Sequence, residues 1–337
     1  MLPRIWIAAL FLFAAGSTRA AVEKKQVTIA VGGKTLFYYL PLTLAEHLGY
    51  FKDEGLEVEI VDFAGGAKSL QAMIGGSADM VSGSFEHTIN MQARGIPVVG
   101  IVLQLRYAAI ALALPKAKAA AYKSAKDLKG LKVGVTAPGS STNFFVNALL
   151  VQDGLKPDDV SIIGVGASSN AVAAMKKGEI DAISNLDPVI TKLELDGDVV
   201  AVADTRTAEG MKKYYGGDYA ASCVYTKKEF IEKYPGTAQA IVNAMVRALR
   251  FARESSLEQV LAAIPGDYYA ADKQTYKAAL KKAIEGYSPD GRFTLEGARN
   301  VYKVLKLFEP SVMSANIEVS NTFDNRFVEE AAKRKSK

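Results

Sequence analysis

Apolar runs and polar breaks alternate along this chain at the spacing of short strands and helices. Residues 27–31 (VTIAV) are rich in β-branched side chains and bounded by Gly32 and Gly33, which predicts a buried strand. Pro41 suits the first turn of a helix whose Leu40, Leu44 and Leu48 recur every four residues until Gly49. Residues 56–63 alternate apolar and acidic side chains, so they read as a strand with one wet face. Leu70, Met73 and Ile74 form the stripe of the next helix. Residues 80–84 follow as a strand, 86–93 as a helix and 98–104 as a strand.

After the apolar run 108–114 the same order returns. Residues 131–136 predict a strand, APGSSTNFF opens a helix to Asp153, and Gly154 is placed to cap it. Strands at 160–165 and 199–203 flank a further helix. Residues 221–226 read as a strand returning to the first series. From Lys227 onward the pattern is helical. Pro235 begins a helix with an apolar face of Ile241, Met245, Ala248 and Ala252, Ser255 opens another, and Thr294 caps one that stops at Pro310. The tail EEAAKRKSK is polar and expected to fray.

The two series share a repeated unit. VDFAGGAKSLQAMIGGSADMVSGSFEH recurs 102 residues later as GVGASSNAVAAMKKGEIDAISNLDP, pairing Met73 with Met175, Gly76 with Gly178, Asp79 with Asp181 and Ser82 with Ser184. A unit this long predicts two similar lobes rather than a solenoid. Alternating strands and helices predict an α/β fold with mainly parallel sheets and helices on both faces. Ligands of such sheets sit beyond the carboxyl ends of the strands. The expected division is one lobe of residues 21–105 plus 221–337 and a second of 106–220, joined by two crossovers that act as a hinge.

Composition narrows the function classes. The 337 residues are 49% hydrophobic, enough to bury a real core, the length allows two domains, and the net charge of +5 is spread along the chain, which gives little support to nucleic-acid binding. One cysteine, Cys223, excludes an intrachain disulfide, and with only His47 and His87 beside it a structural zinc site is not expected. Residues 1–20 combine a basic start, a twelve-residue apolar stretch and a small-x-small end, which fits a signal peptide cleaved after Ala20 and an exported, soluble, periplasmic protein. No later stretch is long and apolar enough to cross a membrane.

Candidate contacts lie at the strand ends. Gly65, Gly66, Ala67, Lys68 and Ser69 can cradle an anion on a helix N-terminus, or simply make a tight turn. Gly139, Ser140, Ser141 and Thr142 are the matching group in the second series, with ordinary capping as the bland alternative. Ser84, Glu86 and His87 follow a buried strand; Glu86 can take a ligand amine, or just favour the positive end of its own helix. Tyr38 and Tyr39 either flank an organic ligand or fill core. Asn185 and Asp187 close the second repeat, where Asp187 holds a cationic group or caps a helix. Tyr214, Tyr215 and Tyr219 sit near the second crossover, in reach of a cleft mouth. There is no GxSxG, HExxH, P-loop or GxGxxG, so no enzyme, cofactor or metal is expected, and Cys223 reads as buried and inert.

YLPLTLAEHLGYFKDEGLEVEI, GGAKSLQAMIGGSADM, DLKGLKVGVTAPGSSTNFF and KKGEIDAISNLDP together resemble the substrate-binding proteins of ABC importers for nitrate, sulfonate and taurine. These share a domain with thiamine-pyrimidine binding and synthesis proteins. The resemblance covers residues 27–234. It implies a type II periplasmic binding fold with two Rossmann-like lobes, a small-molecule ligand in the cleft, and delivery of that ligand by a monomer to a membrane permease with its ATPase. By position, it places ligand contacts at Tyr38 and Tyr39, at Gly66, Ala67 and Ser69, at Ser84, Glu86 and His87, at Gly139 to Thr142, and at Asn185 and Asp187. The acid before proline is often Glu in that family; here it is the shorter Asp187. Its pyrimidine synthases carry a cysteine cluster that this chain lacks. The implied ligand is a small anionic or zwitterionic organic solute. A thiamine-precursor pyrimidine, a secreted enzyme and a sensory binding protein remain as alternatives.

Overall fold

The computed structural model describes residues 21–269 and 272–334. The expected signal peptide lies outside these residues. Two five-stranded sheets carry the fold. The first holds β1 (Gln26–Val31), β2 (Glu57–Asp62), β3 (Met80–Ser84), β4 (Val98–Leu105) and β10 (Ser222–Lys227), in the order β2-β1-β3-β10-β4. The second holds β5 (Ile110–Pro115), β6 (Lys132–Val135), β7 (Ser161–Gly164), β8 (Ala182–Leu186) and β9 (Val199–Asp204), in the order β7-β6-β8-β5-β9. The orders match element for element. Each sheet is parallel except for one strand, β10 in the first and β5 in the second, which runs antiparallel to both its neighbours. Those two strands are the ones that follow the crossovers, so each sheet is completed by the segment returning from the other.

The repeated residues hold the same places in both halves. Asp79 donates its N–H to the Thr28 carbonyl at 2.9 Å and accepts the Thr28 N–H on its carboxylate at 3.0 Å. Asp181 does the same with Lys132, at 2.8 and 3.0 Å. Each carboxylate also pairs with a lysine, Lys24 or Lys118. Gly76 and Gly178 both take the left-handed turn, at φ 84° and 70°. The repeat therefore encodes how β3 and β8 enter their sheets.

Helices cover the sheet faces because their apolar stripes have nowhere else to go. The long helix Pro235–Glu254 buries Ile241, Met245, Ala248 and Ala252 completely. Glu23 accepts the N–H groups of Gly236 and Thr237 at its start, at 3.0 and 2.9 Å. Ser256 and Thr294 cap the next helices through their hydroxyls. One expectation fails. The polar tail does not fray as far as Lys333: Arg326–Lys333 is a helix that buries Phe327, Val328 and Ala331, and Gln239 donates to the Phe327 carbonyl at 2.8 Å. Its apolar positions fall on one stripe, which the charge-rich composition hides. No helix among the described residues is long and apolar enough to cross a membrane.

Candidate functional site

The turns at the strand ends of the two sheets meet face to face. Gly33, after β1, and Gly65, after β2, have φ of 115° and 101°. A Cβ on Gly33 would lie 2.5 Å from Ala167 Cβ, and one on Gly65 would lie 2.6 Å from Ala137 Cβ. Glycine is needed there both for the turn and for the close approach of the other half. Ser140 is the N-cap residue of the helix Ser141–Gln152, yet its hydroxyl does not cap that helix. It accepts the Ala67 N–H at 3.0 Å, on the first turn of the opposing helix Gly66–Ile74.

His87 reinforces the same seam. Its Nε2 lies 3.3 Å from the Gly139 carbonyl oxygen and its Nδ1 lies 2.9 Å from the Tyr225 hydroxyl. A carbonyl only accepts, so Nε2 carries the proton and Nδ1 accepts from Tyr225. Burial pushes the His87 ring down to about 4, partly opposed by the Gly139 bond, which keeps it neutral at physiological pH. A Cβ on Gly66 would sit 3.5 Å from His87 Cε1 and 3.9 Å from both the Ser140 and Tyr39 hydroxyls. Tyr39, Gly66, Ala67, His87, Gly139 and Ser140 thus form one cluster across the two halves.

A second cluster lies beside it. Glu86 is 2% exposed. Its Oε1 accepts the Tyr219 hydroxyl at 3.0 Å and its Oε2 accepts the Ser84 hydroxyl. Burial raises its carboxyl above the usual range, against the lowering effect of those bonds. Tyr219 stacks on Tyr215 with centroids 4.3 Å apart. Tyr38 donates to the Ala221 carbonyl at 2.8 Å. Burial, then the Glu86 charge, push Tyr38, Tyr215 and Tyr219 well above the usual phenol range.

The side chains of the remaining sequence candidates bond inside their own half, while the Asp187 carbonyl accepts the Phe37 N–H of the other half at 3.1 Å. Ser69 donates back to Gly65 at 3.5 Å. Thr142 accepts the Thr136 N–H at 3.0 Å, Ser141 begins its helix and is nearly buried, and Asn185 donates to the Gly166 carbonyl at 3.0 Å. Asp187 already holds a cation. Arg206 Nη1 donates to its Oδ1 at 3.2 Å and also reaches Glu194 at 3.1 Å, while Nη2 donates to Asp204 at 2.7 Å. Asp187 caps its following helix as well, accepting the Thr191 N–H at 2.9 Å. Burial works against the Arg206 charge, but the bonds to Asp204 and the pull of Asp187 outweigh it and keep the guanidinium charged. The sequence reading missed Arg206 and Tyr225 altogether. Tyr225 is one polar atom in an apolar strand, and Arg206 has no neighbour in sequence that marks its role.

The two halves are closed on each other, so the seam residues are packed side chains. A groove of about 620 Å³ lies elsewhere, lined by Gln92, Pro97, Lys228 and Arg326, and none of the seam residues borders it. Among the described residues, no group of His, Cys, Asp or Glu is placed to hold a metal ion. Cys223 is fully buried in β10.

Residues 36–257 match the family model described as NMT1/THI5 like. A solved structure from Bordetella bronchiseptica RB50 superposes with a TM-score of 0.90 at 46% identity, covering 94% of this chain and 100% of that one. The alkanesulfonate-binding protein SsuA from Xanthomonas axonopodis pv. citri, bound to MOPS, superposes at 0.69 with 19% identity, covering 90% and 100%. The 4-amino-5-hydroxymethyl-2-methylpyrimidine phosphate synthase of Schizosaccharomyces pombe is 27% identical over 231 residues, 66% of this chain and 64% of that protein. The chain spans less than two thirds of the length of the curated synthases it matches.

Proposed function

This chain belongs to the NMT1/THI5-like family, and from that premise we propose that it is the solute-capturing component of an ABC importer. Its fold is the type II periplasmic binding fold, and a solute-binding role follows from it. In this reading the chain is exported to the periplasm and works as a monomer. Residues 21–105 with 221–337 form one lobe and residues 106–220 the other. The lobes close on a small anionic or zwitterionic organic solute of the sulfonate, taurine or nitrate class. The closed protein then docks on an inner-membrane permease and its ATPase, and the solute is passed on unchanged.

The contact of Ala67 N–H with the Ser140 hydroxyl across the seam carries this reading. One first-turn amide of the helix Gly66–Ile74, that of Ala67, points at an oxygen supplied from the opposite lobe. A sulfonate or carboxylate oxygen placed there meets the same donors, strengthened by the helix dipole. Only contacts made to both lobes favour the closed form over the open one.

A second reading has its own observation. Tyr38, Tyr39, Tyr215, Tyr219 and Tyr225 gather around the seam, and such rings suit a flat heteroaromatic solute, of the kind of ring in the product that names the synthase relatives. A thermal-shift panel of taurine, alkanesulfonates, nitrate and aminopyrimidines separates the two. Stabilisation by a sulfonate supports the first reading. Stabilisation by a pyrimidine alone replaces it with the second.

A further inference from the structure

The two acids nearest the seam differ in how their charge is balanced. Asp187 is neutralised by Arg206. Glu86 has only neutral donors: Ser84 and Tyr219 satisfy its oxygens, and the neighbouring His87 is neutral. No lysine or arginine among the described residues forms an ion pair with it. An ionised carboxylate buried without a counter-charge is costly to keep. The groups around it bring no positive charge: Tyr38, Tyr215, Tyr219, Tyr225 and Cys223 are all buried, and burial, then charge, hold them neutral. What surrounds the carboxylate is aromatic, including the stacked pair Tyr215 and Tyr219. A carboxylate among aromatic rings attracts a cation twice, by charge and by the ring faces.

Resting on the solute-binding reading above, the geometry points to Glu86 as the seat of a nitrogen on the captured solute, either a protonated amine or a hydrogen-donating amino group on a heteroaromatic ring. Tyr219 sits at the second crossover, with Asp218 and Ala220 on either side of it bonded to Thr294, Asn300 and Gly297, so a nitrogen held between it and Glu86 lies at the hinge. The arrangement also assigns a preference. A bare inorganic anion such as nitrate meets an uncompensated carboxylate, whereas a zwitterion presents its nitrogen to Glu86 and its anionic end to the Ala67 N–H at the start of the helix Gly66–Ile74. The role that the sequence pattern offered to Asp187 falls to Glu86, because Arg206 has claimed Asp187.

The test uses the whole exported protein and Glu86→Gln, which keeps the shape and can bond both hydroxyls. Binding of two matched pairs is measured by calorimetry: taurine against ethanesulfonate, and 4-aminopyrimidine against 4-methylpyrimidine. The nitrogen-bearing member of at least one pair should bind at least about tenfold more tightly to the wild type, and Glu86→Gln should remove that preference. A ligand-free melt near pH 8 provides a second readout. Removing an unpaired buried charge should raise the melting temperature of Glu86→Gln by about 2 °C or more. Equal affinity within each pair that binds, a preference that survives Glu86→Gln, or a lower melting temperature of the variant overturns the proposal. If none of the four compounds binds, the sulfonate reading fails by itself and the melting temperature decides for Glu86.

Discussion

The ends of β3 and β8 are two copies of one design put to different uses. Both strands leave their sheets through a repeated unit, both are entered by an aspartate bonded to the neighbouring strand, and both run into a carboxylate at the seam. In the second half that carboxylate, Asp187, is tied to Arg206 and caps a helix. In the first half, Glu86 meets neutral donors only, the Ser84 and Tyr219 hydroxyls and its own backbone N–H. The difference is set by a single guanidinium, delivered from the end of β9. A paired buried acid holds a fold together, while an unpaired one leaves a charge for something else to answer. The position of an acid in a repeat therefore does not decide whether it binds a ligand; its counter-charge does.

Breaking the paired side should have the largest effect. Arg206→Ala leaves Asp187 buried without its cation, and a chemical denaturation series should show a loss of about 3 kcal/mol or more. An Arg206→Ala protein as stable as the wild type would remove the contrast between the two acids.

The next effect concerns pH. His87 is held at about 4 in the folded chain against an ordinary value of 6.5. The unfolded chain therefore takes up a proton first as pH falls. The stability tied to a neutral His87 is complete above about pH 6.5 and is lost as pH drops toward 4. Glu86 has the opposite sign: its carboxyl is raised, so its contribution is present in acid and is lost as pH rises through its folded value. Unfolding free energies measured across that acid range should fall on the order of 2 kcal/mol more in the wild type than in His87→Gln. Parallel curves would show that His87 does not titrate as its burial requires.

Ser140→Ala is the mildest change. It removes one hydrogen bond across the seam, about 1 kcal/mol, or roughly fivefold in the open–closed balance. Small-angle scattering of the ligand-free variant should report a larger radius of gyration. An unchanged radius would mean the bond to Ala67 does not hold the lobes together.

Much of the fold was legible because it rests on local signals. Apolar runs of four to eight residues between glycines mark the strands, and nearly every one falls within a residue or two of its expected place. The repeat was legible for the same reason. The site was legible only as a set of places. Gly66, Ala67, Gly139, Ser140 and His87 do meet, since all follow strands whose ends face each other. What they bond to was not visible. Tyr219 reaches Glu86 across 133 residues, and Tyr225 reaches His87 across 138. Nothing in a linear pattern reports such distant pairings. The docked helix Arg326–Lys333 was missed because its three buried positions lie among charges.

Native mass spectrometry of the protein, run beside Gly65→Val, tests capture between the lobes most directly. A valine there collides with Ala137 and also strains a turn held at φ 101°, and both keep the two halves apart. The wild type should carry one small organic solute per chain, and the variant should carry none while remaining folded. A wild type that never carries a solute, or a variant that retains it in equal amount, would contradict a site at this seam.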